Sequence, residues 1–409
     1  MHFNFHLYNT NYRTYKCTDL NFISQMDQEL YTVDNLANIT VYDEIHEHVS
    51  TKYDLFFNEI SHEYLIRIKK QHKWHELNIN SLTIELTKAG IRVRVSVLET
   101  YLNSHLIQKI NPFKQYFKEL KKWDGKDHIK ELTSYIPTDN DALFEYHFKK
   151  WLVRTVKCAI DHKYFNKNCI VFAQEKQNSG KTSFCRFICP DKLQNYIAEN
   201  IGYDKDGMVQ LCKNIIINLD EIDKIDQKSI NAYKSFFSKT AINVRLPYAK
   251  KNSIIPRICS FIGSTNIINF LKDETGNVRW ICFEIIGNID FNYSKNIDIN
   301  NVWAQAYHLA YSDKKYSAEL THDDILENEK RNEKYRRISI EEDLINELFE
   351  QSISRTDFLT STEVTSYVKK TYSYANHIII GKALNKLGFK RINNPTTGNK
   401  GYMIKRRKK

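Results

Sequence analysis

The stretch Glu175-Lys176-Gln177-Asn178-Ser179-Gly180-Lys181-Thr182 restricts this chain more than any other. It is a polar loop. The apolar run Cys169-Ile170-Val171-Phe172-Ala173 precedes it, and a helix-like segment starts at Ser183. Strand, loop, Gly-Lys-Thr and helix in that order form the layout of a phosphate-binding loop. Backbone N–H groups of such a loop point at phosphates. Asn178, Ser179, Gly180, Lys181 and Thr182 are the expected phosphate contacts. Lys181 reaches the β- and γ-phosphates in this layout, and the Thr182 hydroxyl holds Mg²⁺, so ATP with Mg²⁺ is the implied ligand. Glu175 stands where the pattern has its first Gly, a position that often serves a tight turn with positive φ. The plain alternative is an ordinary strand-to-helix turn that contains Gly-Lys-Thr.

A second element follows about forty residues on. Asn214-Ile215-Ile216-Ile217-Asn218-Leu219 ends in Asp220-Glu221. A short apolar, β-branched run bounded by polar residues predicts a buried strand of a parallel sheet. The C-terminal ends of such strands border the ligand crevice. Asp220 is placed for the Mg²⁺ shell, and Glu221 for deprotonating a water. A third run, Cys259-Ser260-Phe261-Ile262-Gly263, ends in Ser264-Thr265-Asn266. Asn266 suits hydrogen bonding to the γ-phosphate or its water. A solvated strand end and a helix cap are the bland readings of these two elements.

The chain has 409 residues and 60 Lys+Arg against 49 Asp+Glu, net +11. That length allows two or three domains. The excess of cations suits a polyanionic partner. No apolar run approaches the ~20 residues needed to cross a bilayer, and no signal peptide is visible. A soluble, cytoplasmic protein without a membrane partner is expected. The eight cysteines lie at 17, 158, 169, 185, 189, 212, 259 and 282, several inside expected strands. This is the usage of a reduced compartment, with Cys as a small apolar residue. Cys185 and Cys189 lack further ligands at zinc spacing, and His46-Glu47-His48 reads as surface.

Residues 1–50 read as a polar arm or small subdomain, and 51–160 as a mainly helical region. Tyr64–Ile68 is one short strand within it. Leu82, Leu86 and Ala89 fit one helix face, and Leu98, Leu102 and Leu106 another. A helix starting at Asn111-Pro112-Phe113, with Phe113, Phe117 and Leu120 on one face, is expected to end near Trp123-Asp124-Gly125. Another, from about Leu143 to Ile160, leads into the phosphate-loop strand. Residues 161–300 form the nucleotide core, 301–340 a helical connector and 341–409 a basic module. In that module a helix capped by Ser361 or Thr362 runs to Lys370, and a second spans His377–Leu387. Two short strands follow at Phe389–Arg391 and Tyr402–Ile404. Helix, helix, strand, loop, strand is a winged-helix order. Lys400, Lys405, Arg406 and Arg407 are its candidate phosphate contacts; an oligomerisation or protein-docking module is the alternative.

Leu219-Asp220-Glu221-Ile222-Asp223, Ala232-Tyr233-Lys234-Ser235-Phe236, Val244-Arg245-Leu246-Pro247-Tyr248, Gly263-Ser264-Thr265-Asn266 and Phe270–Trp280 occur in that order. Upstream stand Asn111-Pro112-Phe113, Tyr116, Leu120 and Trp123-Asp124-Gly125. This ordered set resembles the virulence-associated protein E family, grouped with superfamily-3-like helicases of phages, satellites and plasmids. The resemblance runs from about residue 80 to 290. It implies an α/β fold: a RecA/AAA+-like P-loop ATPase core with a helical N-terminal region and a C-terminal winged-helix-like module. It also implies a homo-hexameric ring with ATP at the subunit interface and a neighbour's arginine on the transferred phosphate. Arg279 is the first candidate and Arg257 the second. A primase is expected to act in trans. Ala241–Leu246 and Ser253–Ile255 are expected to form a hairpin between the second and third strands. In such helicases a hairpin there projects into the channel, so Lys250 and Lys251 are candidate contacts to single-stranded DNA.

The reading is an ATP-dependent DNA helicase serving replication of a mobile element. The competing class is an ATP-switched, DNA-binding initiator or regulator that does not unwind. Glu221 separates them, because a pure nucleotide switch needs no water-activating carboxylate.

Overall fold

In the computed structural model the described residues are 39–224, 227–244, 252–271, 277–354, 356–394 and 398–407. The chain divides into two compact units, residues 1–112 and 113–409.

The first unit holds α1 (Val41–Lys52), β1 (Tyr53–Asn58), β2 (Glu63–Ile68), β3 (His75–Glu76), α2 (Ile79–Lys88), α3 (Val95–Leu102) and β4 (Gln108–Ile110). Its four strands form one sheet in the order β3-β2-β1-β4. The one short strand expected here, Tyr64–Ile68, is β2; β1, β3 and β4 were not expected. Tyr53, Leu55, Phe57 and Tyr64 alternate along β1 and β2 and pack on the helices' Ile45, Val49, Leu82, Leu86, Leu98 and Leu102. That is a period of two, and a half-buried face is all it needs. Leu106 lies beyond α3 and is exposed, and Ala89 is the C-cap of α2; neither extends the expected stripe.

The second unit begins within α4 (Pro112–Glu119) and continues with α5 (His128–Thr133) and α6 (Asp141–Ile160). An expected boundary at residue 160 therefore falls inside this unit. Helix α4 stops at Glu119, short of Trp123; Phe113 and Phe117 are buried as expected. Helix α6 is buried along most of its length, including Trp151, whose indole N–H donates to the Phe261 carbonyl.

The core then alternates strands and helices: β5 (Cys169–Ala173), α7 (Lys181–Phe187), β6 (Ile197–Glu199), α8 (Lys205–Lys213) and β7 (Ile216–Leu219). After them come α9 (Gln227–Ser238), β8 (Ala241–Val244), β9 (Ser253–Pro256), β10 (Ser260–Thr265) and β11 (Trp280–Glu284). Five strands form one parallel sheet in the order β11-β5-β10-β7-β6. Strands β5, β7, β10 and most of β11 are wholly buried, which explains why they read as largely apolar runs. Strands β8 and β9 pair as the expected antiparallel hairpin. Its connection, with Lys250 and Lys251, lies outside the described residues.

Short α10 (Tyr293–Asn296) leads to α11 (Ile299–Tyr311), α12 (His322–Asn332) and α13 (Ile340–Leu348). The C-terminal module adds β12 (Phe349–Gln351), β13 (Phe358–Leu359), α14 (Ser361–Val368), α15 (His377–Lys386), β14 (Arg391–Asn393) and β15 (Lys400–Arg406). Val364, Val368, Ile380, Leu384, Tyr402 and Ile404 belong to its own core. The cap of α14 is Thr360, in place of Ser361 or Thr362. Its hydroxyl accepts from the Glu363 N–H, and the Glu363 carboxylate returns the bond in a capping box. The connection between β14 and β15 is described only in part.

Candidate active site

The phosphate-loop residues, Asp220, Glu221 and Asn266 meet, as expected from the sequence, at the C-terminal edge of the parallel sheet. The loop after β5, the start of α7 and the ends of β7 and β10 enclose a cavity of about 380 Å³. Asn178, Ser179, Gly180, Lys181, Thr182, Asp220, Glu221, Lys224, Ser264 and Asn266 line it. That is the crevice where open α/β sheets bind ligands.

The loop keeps its shape without a Gly at position 175. Its positive φ angles fall on Asn178 (φ 55) and Gly180 (φ 91); Glu175 is exposed and has none. Asn is among the few side chains that tolerate this region. The departure at Glu175 thus leaves the turn intact.

Lys181 is buried, and its ammonium donates to the carbonyls of Gln174 (3.2 Å) and Lys176 (3.0 Å) and to the Ser179 hydroxyl (3.1 Å). Burial pulls its pKa below the ordinary lysine range, while Asp220 and Asp223 push the other way. A cation held only by neutral oxygens is ready for an anion. At the end of β7, Asp220 accepts from the Thr182 hydroxyl (2.8 Å) and from the Ser264 hydroxyl. One carboxylate beside two hydroxyls is the hard-oxygen set that Mg²⁺ takes together with phosphate oxygens. The Asp220 N–H is held by the Asn200 side chain at 2.9 Å.

Glu221 has φ 52 and its carboxylate pairs with Lys224 at 2.7 Å. Asp223 accepts from the Thr265 hydroxyl (2.9 Å) and the Asn266 N–H (3.1 Å), which fixes the backbone that presents Asn266. Asp223, Lys224 and Ser264 were not picked from the sequence as site residues. The first two follow Asp220 at spacings of three and four on the same turn, and Ser264 stands two before Asn266. Those spacings were the available signal.

The arginines part company. Arg257 is corrected: it is 1% exposed and its guanidinium donates to the carbonyls of Lys239, Cys259, Asn166 and Phe237. All its reach is spent inside its own subunit. Arg279, on the turn before β11, is partly buried, and among the described residues its side chain bonds the Ser238 hydroxyl at 3.2 Å. In the C-terminal module Lys400 is exposed, Lys405 pairs with Glu350 (3.2 Å), Arg406 lies over the Tyr367 ring and Arg407 donates to the Phe349 carbonyl. No His/Cys/Asp/Glu cluster able to hold a metal occurs among the described residues, and no described helix is long and apolar enough to cross a membrane. The seven described cysteines are buried and free.

A parallel sheet that gathers a phosphate loop, a metal-ready carboxylate and a polar strand tip at one edge defines a P-loop nucleoside triphosphatase domain. Residues 117–337 match the virulence-associated protein E-like domain, and the chain belongs to that family. No curated protein matches the chain at a significant level. The fold is similar to the apo structure of the NrS-1 C-terminal region, at 13% identity and a TM-score of 0.51, over 89% of this chain and 99% of that one. The A form apo structure of that region also matches, at 13% identity and a TM-score of 0.49, over 88% of this chain and 99% of that one.

Proposed function

We propose that this protein is an ATP-dependent DNA helicase acting in replication of a mobile genetic element. The observation that carries the reading is the convergence of Lys181, Thr182, Asp220, Glu221 and Asn266 on one cavity. The loop N–H groups and Lys181 bind the phosphates, Lys181 exchanging its carbonyl partners for phosphate oxygens. Thr182 and Asp220 would hold Mg²⁺, which neutralises charge on the phosphates when bound. Glu221 takes the proton of the attacking water once it leaves Lys224, and Asn266 orients that water or the γ-phosphate. The family resemblance supports a homo-hexameric ring in which Arg279 acts on the neighbour's phosphate and single-stranded DNA threads a central channel, with a primase acting in trans. A RecA/AAA+-type core and a winged-helix C-terminal module fit the order of elements.

The test is ATP hydrolysis measured with and without single-stranded DNA, alongside separation of a forked duplex. The helicase reading expects Mg²⁺-dependent turnover, stimulation by DNA and strand separation, all absent in Lys181→Ala. Turnover and DNA binding without strand separation would establish the initiator instead.

A further inference from the structure

Phe291 is an exposed aromatic ring placed against the phosphate loop. It is 52% exposed, although it lies in the segment that follows a buried strand. Its ring edge touches Gly180 so closely that a side-chain carbon on that glycine would collide with it. Behind it, Tyr293 stacks at 6.3 Å and 29° and packs on Phe184 and Phe187 of α7. An aromatic row thus runs along the flank of the helix that the phosphate loop opens, and its last ring is left in solvent.

The segment carrying that ring is tied to the loop. The Ile285 N–H donates to the Ala173 carbonyl (2.9 Å), the Gln174 side chain to the Gly287 carbonyl (2.8 Å), and the Lys176 ammonium to Asn288 Oδ1 (2.9 Å). The loop and the ring are therefore held in fixed relation. Ile286, 65% exposed, adds a second bare apolar side chain to the same segment. Exposed apolar surface beside a polar cavity is a mark of a ligand contact.

We infer that Phe291 is the stacking surface for the nucleobase of the bound nucleotide. A nucleotide whose phosphates fill the loop carries a flat aromatic base a few bonds away, and it needs an apolar plane near the loop. Phe291 is an open aromatic ring that touches the loop directly. Stacking on one ring face tolerates any base, so the site favours nucleotides over bare phosphate chains without by itself choosing adenine. The assignment rests on the nucleotide reading above.

Calorimetric titration with ADP and with inorganic tripolyphosphate tests it, on wild type, Phe291→Ala and Phe291→Trp. Base–aromatic stacking predicts that Phe291→Ala loses on the order of tenfold to a hundredfold in ADP affinity. Tripolyphosphate affinity should stay within about twofold, and this also reports an intact loop in the variant. Phe291→Trp should keep ADP affinity, and its fluorescence should be quenched by ADP and not by tripolyphosphate. Unchanged ADP affinity in Phe291→Ala, or equal loss of both ligands, overturns the base contact and leaves the nucleotide reading standing. Wild-type protein that takes up neither compound overturns both.

Discussion

Lys224 holds Glu221 at 2.7 Å, in a turn where Glu221 has φ 52. The carboxylate proposed above to activate water is thus engaged by a cation at the rim of the same cavity. Exposed ion pairs are weak, about 0–1 kcal/mol. Lys224→Ala should therefore raise DNA-independent ATP turnover by roughly two- to fivefold and shrink the stimulation by DNA. Steady-state rates with and without single-stranded DNA check this; a lower basal rate would mean that Lys224 serves the reaction directly.

Asp220 and Glu221 should separate by readout. Asp220→Asn removes the carboxylate that takes the Thr182 and Ser264 hydroxyls, so it should weaken Mg²⁺-dependent nucleotide binding. Glu221→Gln should bind ATP normally and turn it over on the order of 10²-fold or more slowly. Titration and single-turnover hydrolysis of each variant tell the two apart.

Nucleotide affinity should fall at alkaline pH. Burial holds Lys181 below the ordinary 10.5, and phosphates favour its charged form. As pH rises through that lowered value the loop loses its cation before binding, and affinity drops. ADP titrations across the neutral to alkaline range should show this in wild type and not in Lys181→Ala, which should bind weakly throughout.

Acid should destabilise the second unit through His147. Its ring is wholly buried, its nitrogens have no hydrogen-bond partner among the described residues, and burial together with Arg331 pulls its pKa to about 3. A base that is neutral when folded and free to protonate when unfolded contributes stability above 6.5 that is lost as pH falls toward 3. At pH 5 the loss is about 2 kcal/mol by linkage. Thermal melts of wild type and His147→Leu at neutral pH and at about pH 5 measure it; the variant should show the smaller drop.

Mixed subunits test Arg279. Arg279→Ala and Lys181→Ala proteins, each inactive, should recover part of the hydrolysis when combined under conditions of subunit exchange. A cross-subunit arginine is typically worth about 10³-fold or more in phosphoryl transfer, so even a minority of mixed interfaces is measurable. Continued silence with exchange verified would place Arg279 within its own subunit.

The strands of the nucleotide core were legible because burial on both faces makes them largely apolar, as in Cys169–Ala173 and the centre of Ser260–Thr265. Their polar ends, Asp220 and Asn266, were legible because a buried strand places its next residue at the crevice. The first unit's sheet was not, since Phe56 and Leu65 put apolar side chains on the same face as the Asp54–Arg67 pair, and that blurs the alternation of β1 and β2. Arg257 misled for a different reason. A charged residue at the start of a strand looks like a site residue, and only the fold shows four carbonyls arranged around it.

Those four carbonyls make the base of the β8–β9 hairpin a weld instead of a hinge. They come from the end of α9, the approach to β5 and the residue before β10, and one planar cation fastens them together. The hairpin and β10 must then move as one body. β10 ends at Thr265 beside the nucleotide cavity, and the weld sits at its other end. Any tilt of β10 at its cavity end would thus be passed through Arg257 to the base of β8 and β9, as if along a lever.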